Sequence, residues 1–189
     1  MKLLFLDIDG VLNSHAFFAT LRKNPPPSRE NLRAMRKINR KLVQGGTSVP
    51  QSTILYDLQH IDPTAVAMLN SFLEETQAKV VISSTWRKTY PWRVLQTLLE
   101  NFGFRGEIIG QTPQGLPRIH HGTYGSSSPL RGDEIQEWLD KWKGEPIAKL
   151  VILDDDSDMA HLSEFHIRTD LAVGLTREDV KRAVKLLLG

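Results

Sequence analysis

The stretch Leu3-Leu4-Phe5-Leu6-Asp7-Ile8-Asp9-Gly10-Val11 sets the expectation for the whole fold. Its apolar, β-prone character fits a strand over Leu3–Ile8. The run ends in two carboxylates, and residues two apart on a strand point to the same side. Asp7 and Asp9 therefore repel each other unless a cation or a proton lies between them. Open α/β sheets place their ligands beyond the carboxyl ends of their strands, which is where this pair falls.

Working outward, four more β-prone runs follow at Lys79–Ser83, Glu107–Ile109, Leu150–Leu153 and Phe165–Arg168. Amphipathic helical patterns separate most of them. Asp62-Pro63 reads as an N-cap with proline at the first helical position, before Val66, Leu69, Phe72 and Leu73 on one face. Pro91 opens a helix carrying Leu95, Leu98, Leu99 and Phe102, and Gly103 closes it. Ser128-Pro129 opens a third, with Ile135, Trp138, Leu139 and Trp142 on one stripe. Thr176 and Asp179 form a capping box before Val180, Val184 and Leu187. This alternation predicts an α/β fold with a mainly parallel sheet and helices on both faces.

The chain has 189 residues, enough for one α/β domain over 1–189 with a small insertion. It has no cysteine, which excludes disulfides, thiolate nucleophiles and Cys-ligated zinc. The N-terminal apolar run is too short for a signal peptide or a membrane span, so a cytoplasmic protein is expected. The net charge of +2 is too small to imply a polyanionic partner by itself.

Chemistry-bearing residues gather at the predicted strand ends. Asp154-Asp155-Asp156 and Asp158 follow Val151-Ile152-Leu153. Such a cluster is costly without a metal, and hard oxygen ligands favour Mg²⁺. Ser83-Ser84 follows Val80-Val81-Ile82, where a hydroxyl can donate to a phosphoryl oxygen. Arg131 lies in the first turn of the third helix, where it can reach an anion above the sheet.

Asp-x-Asp-Gly-Val, a strand ending in serine, a basic residue at a helix start and a strand ending in acids resemble, in order, the four motifs of the haloacid dehalogenase (HAD) superfamily. Ser83-Ser84-Thr85-Trp86-Arg87, Arg131-Gly132-Asp133-Glu134-Ile135 and Ile152–Asp158 are similar to the HAD domain of Swiss army knife RNA-repair proteins. The resemblance implies a Rossmann-like core of sheet order 5-4-1-2-3 and a Mg²⁺-dependent phosphatase. Asp7 would be the nucleophile and Asp9 the acid and base. Mg²⁺ would be held by Asp7, the Asp9 carbonyl and Asp154, with Asp155 or Asp158 in support. Ser83, or Ser84 if the strand ends one residue later, would hold the phosphoryl group with Arg131. Arg87, beside Trp86, is a further candidate phosphate contact, and Trp86 is equally well explained by packing. The third motif usually carries lysine; Arg131 offers a fork in place of a point charge. A receiver domain uses similar groups, but its acceptor aspartate lies on the third strand, and here that strand ends in Gly110 without an acid.

Residues 14–61 interrupt the alternation and sit where HAD proteins insert a cap, so a small helical cap or flap is expected there. The segment holds eight Lys or Arg and two acids, a formal +6 that leaves −4 for the remainder. Leu32, Met35, Ile38 and Leu42 share one side of a helix over 29–41, and Arg29, Arg33, Arg36, Lys37, Arg40 and Lys41 spread over the other. This basic side is either a solvated surface or a strip for a phosphate-rich substrate such as a nucleic acid end. The apolar side lacks the aromatic residues of a membrane-surface helix. A second long loop at 110–128 contains His120-His121, which, like His15 and His60, reads as solvent-facing rather than metal-binding. The expected substrate is a phosphomonoester at a nucleic acid end or on a nucleotide. A small phosphorylated metabolite, or non-catalytic nucleic acid binding, are the competing expectations.

Overall fold

The computed structural model describes residues 1–21, 28–115, 118–119, 126–127 and 130–189. The opening apolar run forms β1 (Lys2–Leu6), the central strand of a five-stranded sheet. In chain order the other strands are β2 (Lys79–Ile82), β3 (Ile108–Gln111), β4 (Arg118–Ile119), β5 (Ser126–Ser127), β6 (Lys149–Asp154) and β7 (His166–Arg168). The main sheet has the order β3-β2-β1-β6-β7 with every pairing parallel, and β4 with β5 forms a separate antiparallel pair. Numbered within the main sheet and read from the β7 edge, this is the expected 5-4-1-2-3.

Alternation along the strands divides the core between the two faces. Leu4, Leu6, Val80, Ile82, Val151 and Leu153 face one apolar cluster; Leu3, Phe5, Val81 and Ile152 face the other. The helices in chain order are α1 (His15–Thr20), α2 (Arg29–Gln44), α3 (Gln51–Asp57), α4 (Pro63–Thr76), α5 (Trp92–Glu100), α6 (Arg131–Lys141) and α7 (Arg177–Leu188). The larger cluster takes apolar residues from α2 to α5 and α7, and the smaller takes Ile135 and Trp138 from α6. Trp138 meets Phe5 edge-on, with ring centroids 5.5 Å apart.

Local chemistry explains the helix starts. Asp62 accepts from the Thr64 amide at 2.7 Å before Pro63, and Thr176 with Asp179 completes the capping box of α7. The expected opening of α6 at Ser128-Pro129 lies outside the described residues, as do His120 and His121; the helix itself begins at Arg131. Trp142 is the C-cap of α6 and stacks on Trp138, with ring centroids 4.9 Å apart.

Among its described residues the insertion contains three helices, of which the 29–41 pattern anticipated only α2. The apolar side of α2 (Ala34, Met35, Ile38, Leu42) joins the larger core cluster together with Ile54 and Leu58. Lys41 Nζ donates to Thr97 Oγ1 at 2.5 Å and Lys37 meets Glu100 at 3.7 Å, so α2 docks on α5. Among the described residues, no helix is long and apolar enough to cross a membrane.

Candidate active site

Three parallel strands end side by side, and the residues one step past or at their ends form the floor of the site. The Asp7 amide donates to Leu153 O at 3.0 Å, and the Ser83 amide donates to Leu6 O at 2.8 Å. These bonds extend the ladder by one residue and bring Asp7, Ser83 and Asp154 together, although they lie far apart in sequence. Gly10 then turns the chain with φ +68, in the left-handed region. A Cβ at Gly10 would lie 2.4 Å from Asp155 Cγ, so the glycine also admits that carboxylate to the site. The Gly10 carbonyl accepts from Thr169 Oγ1 at 2.8 Å, which ties the turn to the end of β7.

Asp7, Asp154 and Asp155 each offer an oxygen within 4.8 Å of the other two. Asp7 and Asp154 are buried, and Asp154 Oδ2 has no hydrogen-bond partner among the described residues. Burial pushes the Asp154 carboxyl well above its ordinary value, and the neighbouring Asp7 pushes it further, against the pull of Arg131. Burial also raises Asp7; Arg131, the Ser84 hydroxyl and the Ile8 amide oppose that rise. Asp155 is raised as well, first by burial. The donor set therefore fits a hard divalent cation: carboxylate oxygens only, held close, and destabilised as anions in each other's presence.

Arg131 bridges this group at the start of α6. Its Nη2 lies 3.4 Å from Asp7 Oδ2 and its Nε lies 3.2 Å from Asp154 Oδ2, the latter without hydrogen-bond alignment. Burial disfavours its charge, but Asp7, Asp154 and Glu134 outweigh burial and raise its pKa. Asp158 stands apart from the three converging acids. Its Oδ2 accepts from the Arg131 amide at 2.9 Å and its carbonyl accepts from the Gly132 amide at 3.2 Å, so it caps the start of α6. Gly132 is needed there because a Cβ would lie 2.1 Å from Met159 O.

The Asp9 carboxylate is also outside the trio, and neutral donors hold both of its oxygens. Asn13 Nδ2 donates to Oδ1 at 2.8 Å, and Trp86 Nε1 donates to Oδ2 at 3.0 Å. The Asn13 side-chain oxygen accepts from the Gly10 amide at 3.0 Å, so one residue shapes the turn and aims Asp9. Trp86 thus meets the site through its indole N–H while packing on the core.

Ser83 and Ser84 do different things. The Ser83 hydroxyl is buried without a hydrogen-bond partner among the described residues, whereas Ser84 Oγ caps the turn Thr85–Lys88 by accepting from the Trp86 amide at 3.3 Å. Arg87, expected to meet phosphate, is instead buried and turned into the protein. It pairs with Glu134 and donates to Ser84 O at 2.6 Å and Pro113 O at 3.4 Å. Burial lowers its pKa, partly offset by Glu134. A guanidinium so occupied supports the serine turn rather than an open ligand position.

Three contributors had escaped the sequence patterns. Glu134 pairs with Arg87, lies 3.7 Å from Arg131 Nη1, and accepts from the Gly115 amide at 2.9 Å. Asn13 and Thr169 hold the turn after Asp7. An acid three residues after Arg131, and an amide four residues after Asp9, are the only local signals they leave. His15 and His60 are outside the acidic trio.

The model of one protein family, described as the HAD domain in Swiss Army Knife RNA repair proteins, matches residues 3–180. Neither the curated proteins nor the solved structures contain a match. With nearly the whole chain covered and the parallel sheet carrying these acids at its strand ends, the chain belongs to this HAD family of phosphatase-type hydrolases.

Proposed function

We propose that the protein is a Mg²⁺-dependent phosphomonoester hydrolase that works through an aspartyl-phosphate on Asp7. The observation that carries this reading is the convergence of Asp7, Asp154 and Asp155 oxygens within 4.8 Å, with Arg131 against two of them. Bound among these carboxylates, Mg²⁺ would neutralise their charge and that of the phosphoryl oxygens.

The chain's own groups do the rest. An Asp7 carboxylate oxygen attacks phosphorus, and the bond from phosphorus to the leaving oxygen breaks. Asp9, aimed by Asn13 and Trp86, gives that oxygen a proton. In the second half, water attacks phosphorus, Asp9 takes its proton, and Asp7 is released as a carboxylate with inorganic phosphate as product. Arg131 and the Ser83 hydroxyl, which has no partner among the described residues, supply donors to the phosphoryl oxygens. Arg87 and Glu134 position Arg131 and the serine turn without touching substrate.

The substrate class we propose is a phosphorylated nucleic acid end or nucleotide. The family's description as a domain of RNA repair proteins and the charge of the 14–61 segment support it. Hydrolysis of an aryl phosphate with and without Mg²⁺ tests the chemistry. Metal-dependent release of phosphate is expected, with a phosphoenzyme trapped by acid quench in the native protein and absent from Asp7→Asn. Full turnover in the presence of a chelator would contradict it.

A further inference from the structure

We infer that the α2–α3 side of the molecule is a track for single-stranded nucleic acid, with Arg29, Arg33, Arg36 and Arg40 neutralising its phosphodiesters and the exposed Tyr56 ring stacking on a base. The inference rests on the phosphomonoesterase reading in one respect: the phosphorylated end of that strand is what Asp7 attacks.

The four arginines follow one another at steps of four, three and four residues, so on a helix they form one row. All four are exposed, and among the described residues none meets a carboxylate. The two lysines of the same helix are used differently: Lys37 and Lys41 turn toward α5 and bind Glu100 and Thr97. The arginine row is therefore not part of what docks the helix. A solvated helix face ordinarily mixes signs, because like charges one turn apart destabilise it. Here Glu30 is the only acid in α2, and the row keeps an uncompensated repulsion that bound phosphates would remove.

Geometry selects the ligand. The row is roughly 16 Å long, with guanidinium-bearing positions roughly 4.5–6 Å apart along the helix axis. That spacing suits successive phosphates of one extended strand, and arginine forks bind phosphate through two donors. Single strands also need flat surfaces for their unpaired bases. Helix α3 packs on α2 and carries Tyr56, which is 62% exposed and stacked on His60 with ring centroids 3.8 Å apart. His60 in turn lies 5.3 Å from the ring of Phe18 on α1.

The elements that carry the row and the ring are tied to the catalytic turn. Asn31 Nδ2, in the first turn of α2, donates to Leu58 O at 3.2 Å, and the Asp62 amide donates to Leu12 O at 2.8 Å. Leu12 belongs to the turn that carries Asp9 and Asn13. Helix α2, the end of α3 and the catalytic turn are thus joined by short, hydrogen-bonded connections.

The test is fluorescence anisotropy with a labelled RNA of roughly 12 nucleotides bearing a terminal phosphate, with the full-length protein between about 50 and 200 mM salt. Four phosphate contacts to a single strand give a log–log salt slope of roughly −3. The quadruple Arg→Gln variant should bind at least about tenfold more weakly with most of that slope gone, and Tyr56→Ala should lose about fivefold or more with the slope unchanged. Both should hydrolyse a small aryl phosphate as well as the native protein, which also reports that they are folded. Native protein that fails to bind at about 50 mM salt, or a quadruple variant that keeps the native slope, overturns the proposal. Equal binding of duplex RNA, or of vesicles of anionic lipid, overturns the assignment to a single strand. Oligonucleotide binding without any aryl phosphate hydrolysis would instead strike the phosphatase reading and leave the track standing.

Discussion

At the carboxyl end of the sheet and along α2 the chain gathers like charges in two contrasting ways. Asp7 and Asp154 are buried beside each other, where lost hydration and mutual repulsion make their anionic forms expensive. Arg29, Arg33, Arg36 and Arg40 repel one another in water, where screening keeps the cost small. The buried group is held by specific partners, Arg131 above all, whereas the exposed row has none among the described residues. Buried charge of one sign demands a small, hard, well-placed counter-ion. Exposed charge of one sign in a row tolerates an extended and variable one.

The sharpest break in that comparison is Asp7→Asn. Turnover of an aryl phosphate should fall by at least about 10³-fold while circular dichroism stays native. Residual turnover near the native level would mean that the buried group is not the reacting one.

Glu134→Ala comes next, because it leaves the Arg87 and Arg131 guanidiniums without their shared carboxylate. Breaking a buried pair of this kind costs about 3–5 kcal/mol, measurable by urea unfolding. A loss under about 1 kcal/mol would show that water enters this network freely.

Asp154→Asn separates stability from function. Its folded pKa is raised, so the favourable contribution of the protonated form is complete below the unfolded value near 4 and is lost as pH rises through the folded value. At neutral pH the metal-free native protein therefore carries a penalty, and the asparagine variant should be more stable by about 1–2 kcal/mol without Mg²⁺. For the same reason the rise in Tm on adding Mg²⁺ should grow from pH 5 to pH 8 in the native protein and largely vanish in the variant. Equal Mg²⁺ stabilisation of both proteins would place the cation elsewhere.

Trp86→Phe is subtler. It deletes the N–H that holds Asp9 Oδ2 and leaves most of the ring in place. An alkyl phosphate, whose leaving oxygen needs the proton, should lose roughly tenfold in kcat, and an aryl phosphate with a good leaving group much less. The same drop on both substrates would indicate a general structural defect.

The smallest expected effect belongs to the arginine row. Arg33→Gln with Arg40→Gln should leave stability within about 0.5 kcal/mol of native. A large loss would show that the row serves the fold.

Much of the site was legible because its residues lie at strand ends and short-range patterns mark such places. Asp7, Asp9, Asp154 and Arg131 were each announced by an apolar run or a helix start beside them. Arg87 was misplaced because a guanidinium next to the serine motif looks the same in sequence whether it faces a ligand or Glu134, which lies 47 residues away. Asp155 and Asp158 were indistinguishable for a similar reason: the clearance that Gly10 leaves for Asp155, and the bare amides of α6 that occupy Asp158, come from other parts of the chain. Helices α1 and α3 went unseen because they are short and lack a long apolar stripe.

Taken alone, the order of residues determined the α/β sheet, the location of the acids at its carboxyl edge and the arginine row on α2, because periodicity, capping and strand-end position are properties of neighbours in the chain. Only the tertiary structure decided which acids share oxygens within a few ångströms, that Asn13 and Trp86 aim Asp9, and that Glu134 rather than a ligand claims Arg87. Those outcomes depend on which distant segments the parallel sheet sets side by side, and on the burial that makes each leftover charge find a partner.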